Sequence, residues 1–118
     1  MNGYDADMKV CVPVASDGSV DPRWGRADRI AVVDVVDGEV SSWDEVDVWW
    51  SRQHDEGSDA RHHARVARFL REHEIEELVV HHMGDGMARM MATMGIRVHG
   101  DASGDARTAV NAALGFAR

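Results

Sequence analysis

Cysteine, proline and lysine are nearly missing from this chain of 118 residues, and each shortage excludes something. The single cysteine, Cys11, rules out an intramolecular disulfide, a CxxC redox pair and a zinc ribbon. Two prolines and no low-complexity tract leave no candidate interior linker, so one domain is expected from residue 8 to residue 118. No window approaches the roughly 18 consecutive apolar residues of a membrane helix. Lysine occurs once, at Lys9, and all other positive charge is arginine. Thirteen cations face 21 carboxylates, and the net charge of −8 argues against a nucleic-acid partner, which needs clustered cations. Met1 to Asp7 is acidic and polar with no apolar stretch, so it reads as a disordered leader and not a secretory signal. A cytoplasmic location with no membrane partner is the expectation.

Histidine is what the chain has in excess. Of seven, six fall between positions 54 and 82, and five of these (His54, His62, His63, His81 and His82) are the ones singled out below.

Met8 to Val14 (MKVCVPV) is apolar on both alternating faces, the pattern of a central strand. A loop rich in Asp, Gly, Ser and Pro runs to Asp28. Arg29 to Val36 is a second strand, Asp37-Gly38 a two-residue hairpin turn, and Glu39 to Val48 its antiparallel return. Trp49 to Gly57 reads as a loop. Ser58 or Asp59 caps a helix to His73, with Ala60, Ala64, Ala67 and Leu70 on its apolar face beside Val66 and Phe69. Ile75 to His82 is a strand, Gly84 to Met94 a helix, Ile96 to His99 a short strand, and Asp105 to Phe116 a final helix. An antiparallel meander followed by two right-handed crossovers gives an α/β fold, a mixed five-stranded sheet of order 3-2-1-4-5 flanked by helices. This is a ribonuclease-H-like architecture, and fold alone does not give function.

That topology predicts where the histidines meet. The helix from Ser58 runs antiparallel to the strand ending at His82, so His62 and His63 start at the sheet edge where His81 and His82 finish. His54 precedes the helix, and His99 ends a neighbouring strand. Imidazole suits zinc, copper, nickel or iron, and the Met83 thioether favours copper(I) or a cluster. A helix N-terminus also favours an anion, including a negatively charged metal–sulfide cluster. Alternation along a strand places His81 and His82 on opposite faces, so they do not chelate together. His62 and His63 diverge by about 100° around their helix.

Other features have plainer explanations. Met87, Met90, Met91 and Met94 have the spacing of a core-facing helical stripe. Cys11, in mid-strand, reads as a buried hydrophobe; thiol catalysis would need it exposed. Trp49 and Trp50 are expected to cover a site or make a homodimer contact. Enzyme signatures are missing: the first strand has no carboxylates for a two-metal nuclease, and no P-loop, GxSxG or HExxH occurs. Gly84-Asp85-Gly86 is a close-approach turn able to cradle an anion.

Three stretches together, MKVCVPV, VDPRWGRADRI and LVVHHMGDGMARMMATMGIRVHG, resemble the dinitrogenase iron–molybdenum cofactor biosynthesis family, the NifX/NifB-type domain. The likeness spans Met8 to about Leu114. It implies a domain that binds iron–sulfur or molybdenum/iron-containing clusters as a carrier or accessory module, usually without enzymatic activity. It also implies that the Arg23–Ala27 loop and the Met83–Gly86 turn flank the cluster pocket. Arg23 and Trp24 stand where the family often has His-Phe, Ile30 replaces a common aromatic, and His81 and His82 occupy positions where small residues are frequent. The expected function is therefore non-enzymatic binding of a metal–sulfur cluster or a single transition-metal ion, exchanged with donor and acceptor proteins. His54, His62, His63, His81 and His82 are the candidate ligands, with Arg26, Gly84 and Gly86 as anion-binding groups. The alternative is a regulatory or protein-interaction module in which the histidines are incidental.

Overall fold

The computed structural model describes residues 7–53 and 58–115. Four of the expected strands lie within a residue or two of their expected limits: β1 (Met8–Pro13), β2 (Arg29–Val36), β3 (Glu39–Asp47) and β5 (Arg97–His99), while β4 (Glu77–Val79) is shorter. The turn between β2 and β3 has both Asp37 and Gly38 at positive φ, 55° and 77°. This is the backbone twist that a two-residue hairpin needs. Four helices follow in order: α1 (Trp50–Gln53), α2 (Asp59–Glu72), α3 (Asp85–Met94) and α4 (Ala106–Ala113). The leader, apart from Asp7, and His54 lie outside the described residues.

The sheet has the order β3-β2-β1-β4-β5, with β1 antiparallel to β2 and parallel to β4. Each face of β1 is covered, as its two-sided apolar pattern requires. On one side Cys11 joins Ile30, Leu78, Val66, Leu70 and Met91 in a core roofed by α2 and α3. On the other, Val10 and Val12 pack with Val33, Val79, Ala109 and Val110 beneath α4. The methionine stripe behaves as its spacing predicts: Met87 and Met91 are buried, and Met90 and Met94 pack at the margin of the first core.

Three expectations are corrected. The strand expected from Ile75 to His82 stops at Val79. Backbone donors of β1 alternate in direction: the Val14 N–H goes to Arg29 beside β2, whereas the Lys9 N–H faces the β4 side and meets Glu76. Pro13 is therefore a donor position toward β4 that has no N–H to give. The Asp21 N–H binds the Pro13 carbonyl at 2.9 Å instead, so the 20–21 segment occupies the place where β4 would continue. His81 and His82 thus leave the sheet in an irregular exposed connection, where strand alternation no longer applies. The buried face of α2 is rotated: Ala60 and Ala64 are exposed, while His62, Val66, Ala67, Phe69 and Leu70 are buried. Finally, Trp50 is not a surface residue. It starts α1 and lies in the core against Trp24 and Phe69, leaving only Trp49 exposed.

Cys11 is completely buried, and that burial pushes its thiol well above the usual range. The folded protein is expected to resist thiol-specific reagents near pH 8 and to label only as it unfolds, which a denaturant series of labelling rates measures. Labelling at the rate of a free thiol in native buffer contradicts this and reopens thiol chemistry.

Candidate functional site

At the carboxyl end of β4 the chain encloses a cleft of about 260 Å³. Its walls come from three places. The first is the 3-10 turn Trp24–Arg26, with Pro22 and Arg23 just before it. The second is the first turn of α2, with Asp59, His62 and His63. The third is the connection His82, Met83 and Gly84 leading into α3, with Met87 beneath.

The 3-10 turn is held from below. Asp21, buried, accepts from the Arg23 N–H at 2.9 Å and from Arg23 Nε and Nη2, each at 3.1 Å. This fork anchors the Arg23 guanidinium and, by hydrogen bond and charge, holds it more firmly protonated than usual. Trp24 then turns inward and meets Trp50 edge to face, with ring centroids 5.4 Å apart. The indole Nε1–H of Trp24 is buried with no acceptor among the described residues. Arg26 lines the cleft and makes no ion pair with any described residue.

α2 begins at Ser58, whose side chain accepts from the Arg61 N–H, so the helix starts on schedule and presents its first turn to the cleft. His62 is 2% exposed and uses both ring nitrogens. Its Nε2–H donates to the Gly25 carbonyl at 2.7 Å, and its Nδ1 accepts from Arg65 Nη1 at 2.8 Å. A carbonyl can only accept and a guanidinium can only donate, so the imidazole is the neutral Nε2–H tautomer. His63, half-buried, lies against α3: a Cβ at Gly86 would come within 3.0 Å of His63 Cε1. Glycine at this position is what lets the ring approach. α3 is preceded by Gly84, which has no side chain to cap it, so its first-turn N–H groups are not satisfied from that residue.

Of the residues singled out from sequence, Arg26, His62, His63, His82 and Gly84 line the cleft, and Gly86 packs behind His63. His81 does not. It is exposed and directs Nδ1 to the Ala102 carbonyl at 3.1 Å. His99 is likewise engaged elsewhere, bonded to Glu77 at 2.7 Å. Among the described residues, no three His, Cys, Asp or Glu side chains are grouped closely enough to hold a metal ion. The cleft instead mixes charges and donors: Arg26 and the Asp21-paired Arg23, the carboxylate of Asp59, imidazoles, a thioether and the N-terminal ends of α2 and α3. Asp21, which anchors the turn through Arg23, is a residue that the spacing of histidines did not suggest. The available signal was its position two before Arg23, where a short acidic side chain can turn back on the following backbone N–H.

Trp24→Phe keeps most of the ring packing and removes the unsatisfied donor, so its two effects offset. Stability in urea is expected within about 1 kcal/mol of the native protein, whereas Trp24→Ala costs about 3–5 kcal/mol. A large loss in the Phe variant would mean that the indole N–H has a partner after all.

Comparison with known proteins gives the chain relatives. The sequence model of the family described as "Dinitrogenase iron-molybdenum cofactor" matches residues 8–115. Among solved structures, the apo form of the orange protein from Desulfovibrio gigas is similar at 25% identity with a TM-score of 0.72, covering 92% of this chain and 88% of that one. A NifB-type protein from Thermotoga has 19% identity and a TM-score of 0.65, over 89% and 85% of the two chains. A candidate dinitrogenase from Methanocaldococcus jannaschii has 12% identity and a TM-score of 0.62, over 93% and 91%. The last two share the fold. No curated protein matches the chain.

Proposed function

The chain belongs to the dinitrogenase iron–molybdenum cofactor family, and from that premise we propose that it is a non-enzymatic carrier of an anionic metal–sulfur cluster, taken up from one protein and passed to another. The observation that carries this reading is the composition of the cleft. An anionic cluster needs cations and N–H donors around its sulfides and only a few protein ligands at its metals. Arg26, with no described counter-ion, and the backbone N–H groups opening α2 and α3 answer the first need, against the carboxylates of Asp59 and Asp85 in the same turns. His63 and His82 supply borderline nitrogen ligands and Met83 a soft thioether, which suits iron, copper or a mixed cluster better than a hard cation. Gly84 and Gly86 keep the entrance of α3 low enough for close approach. His62 has its nitrogens committed, and His81 faces away, so the ligand set we propose is His63 and His82, with His54 as a further candidate.

In this reading the cargo enters as a preassembled anion, which brings its own sulfide ligands and asks few of the protein. The rival reading is an interaction module without metal. In the rival, Trp49, exposed with Arg52 stacked 4.7 Å over its ring, is the contact point.

Anaerobic reconstitution of tag-free protein with iron, molybdate and sulfide separates the two. Visible absorption and metal that survive desalting are expected. Arg26→Glu and the double variant His63→Ala/His82→Ala should each lower retained metal by about 10-fold or more, with His81→Ala unchanged. If the native protein retains no colour, or if the double variant retains as much metal as native protein, the carrier reading is lost.

A further inference from the structure

Hydrogen bonds through buried His62 and its neighbour Arg65 join α2 to the 3-10 turn, 37 positions away, and to the end of α1. His62 Nε2–H holds the Gly25 carbonyl in the middle of the 3-10 turn. Arg65, one helical turn further along α2, donates to His62 Nδ1 and, from the same nitrogen, to the Gln53 carbonyl at the end of α1 at 3.1 Å. The ring also stands edge-on to Trp50, 6.2 Å between centroids, and Trp50 packs in turn on Trp24. We propose that His62 is a positioning residue, not a metal ligand: a two-sided bracket that sets the height of the Trp24–Arg26 turn over the start of α2, and thereby the tightness with which the cleft holds its cargo.

The geometry explains why a histidine is needed. The turn offers an acceptor at Gly25 and Arg65 offers a donor, so the bridging side chain must donate on one side and accept on the other, within a planar group some 2% exposed. A neutral imidazole does both, and its two nitrogens point in divergent directions. Gly25 sits between Trp24, anchored in the core, and Arg26, facing the cleft, so the carbonyl that His62 grips lies at the pivot between them. Release of that carbonyl leaves the turn held at its ends, by Asp21 at Arg23 and by the Trp50 N–H at the Ala27 carbonyl, and removes the side-chain hold on its middle, next to Arg26. A metal bound at His62 would have to displace Arg65 or the turn itself, which is why the ring belongs to the wall and not to the ligand set.

This inference rests on the carrier reading for its consequence but not for its geometry, and the test keeps the two apart. Three variants are compared: His62→Leu, which removes both bonds; Arg65→Met, which removes one; and His62→Gln, whose amide can donate and accept like the imidazole. The first readout, made without any cargo, is amide hydrogen exchange across residues 23–27, with circular dichroism confirming the fold. Exchange is expected to rise in His62→Leu, less in Arg65→Met, and to stay near native in His62→Gln. The second readout is the affinity for tetrathiomolybdate, a molybdenum–sulfur dianion, followed by tryptophan fluorescence from the Trp24–Trp50 pair. His62→Leu is expected to weaken binding about 10-fold or more, with His62→Gln within about 3-fold of native. If His62→Gln loses binding as fully as His62→Leu, the imidazole is itself a ligand and the bracket is overturned. Unchanged exchange in both His62→Leu and Arg65→Met also overturns it. If native protein fails to bind the dianion while exchange follows the expected order, the carrier reading falls and the bracket stands.

Discussion

Pro13 closes the central strand at a position where the backbone donor would face β4, and the absence of that donor shapes everything at this end of the molecule. With no ladder to continue, β4 ends at Val79 after pairing Glu77 and Leu78 with Val10 and Cys11. The 20–21 segment fills the vacated position through the bond from the Asp21 N–H to the Pro13 carbonyl. Asp21, now buried, needs a cation, and Arg23 supplies a forked one. Trp24 follows directly and is thereby aimed into the core, and the 3-10 turn is left overhanging the gap beyond Val79. The cleft is that gap.

Its second wall depends on helix direction. A right-handed crossover returns α2 antiparallel to β4, so the start of α2 and the end of β4 must share an edge. Ser58 places the helix start, and His62 one turn later is the buried residue of that turn. Burial is tolerable because its polar atoms are paired with Gly25 and Arg65. The polar groups under the cleft therefore form a connected set, Asp21–Arg23 on one side and Gly25–His62–Arg65–Gln53 on the other, with the Trp24–Trp50 pair between them. The buried indole N–H of Trp24 is the exception among the described residues.

In a chain with net charge −8, Arg26 and two helix N-termini meet at one cleft beside a single lining carboxylate, Asp59, which is the setting the proposed carrier role would use to attract an anion. That contrast, together with family membership, is why the cleft is read as a cluster site even though the described side chains make no ready chelate.

Much of this was legible from residues alone. Local rules placed the Asp37-Gly38 hairpin, the Ser58 cap and the methionine stripe, because each depends on neighbours a few positions away. Crossover handedness and the two-sided apolar pattern of β1 then gave the sheet order and brought the start of α2 to the end of β4. The fate of individual histidines was not legible. Whether His81 or His82 faces the cleft depends on where β4 stops, and that is decided by a bond between Asp21 and Pro13, far from either histidine in sequence. The burial of His62 in place of Ala60 and Ala64 depends on an acceptor at Gly25 and a donor at Arg65 that make a polar ring stable inside. Sequence determined the five strands, the three longer helices and their order, which follow from local conformational preference and handedness. It did not determine the short helix Trp50–Gln53 or the 3-10 turn Trp24–Arg26, both read as loop. Tertiary structure decided the side-chain directions outside regular strands, because those follow from long-range partners that no periodicity encodes.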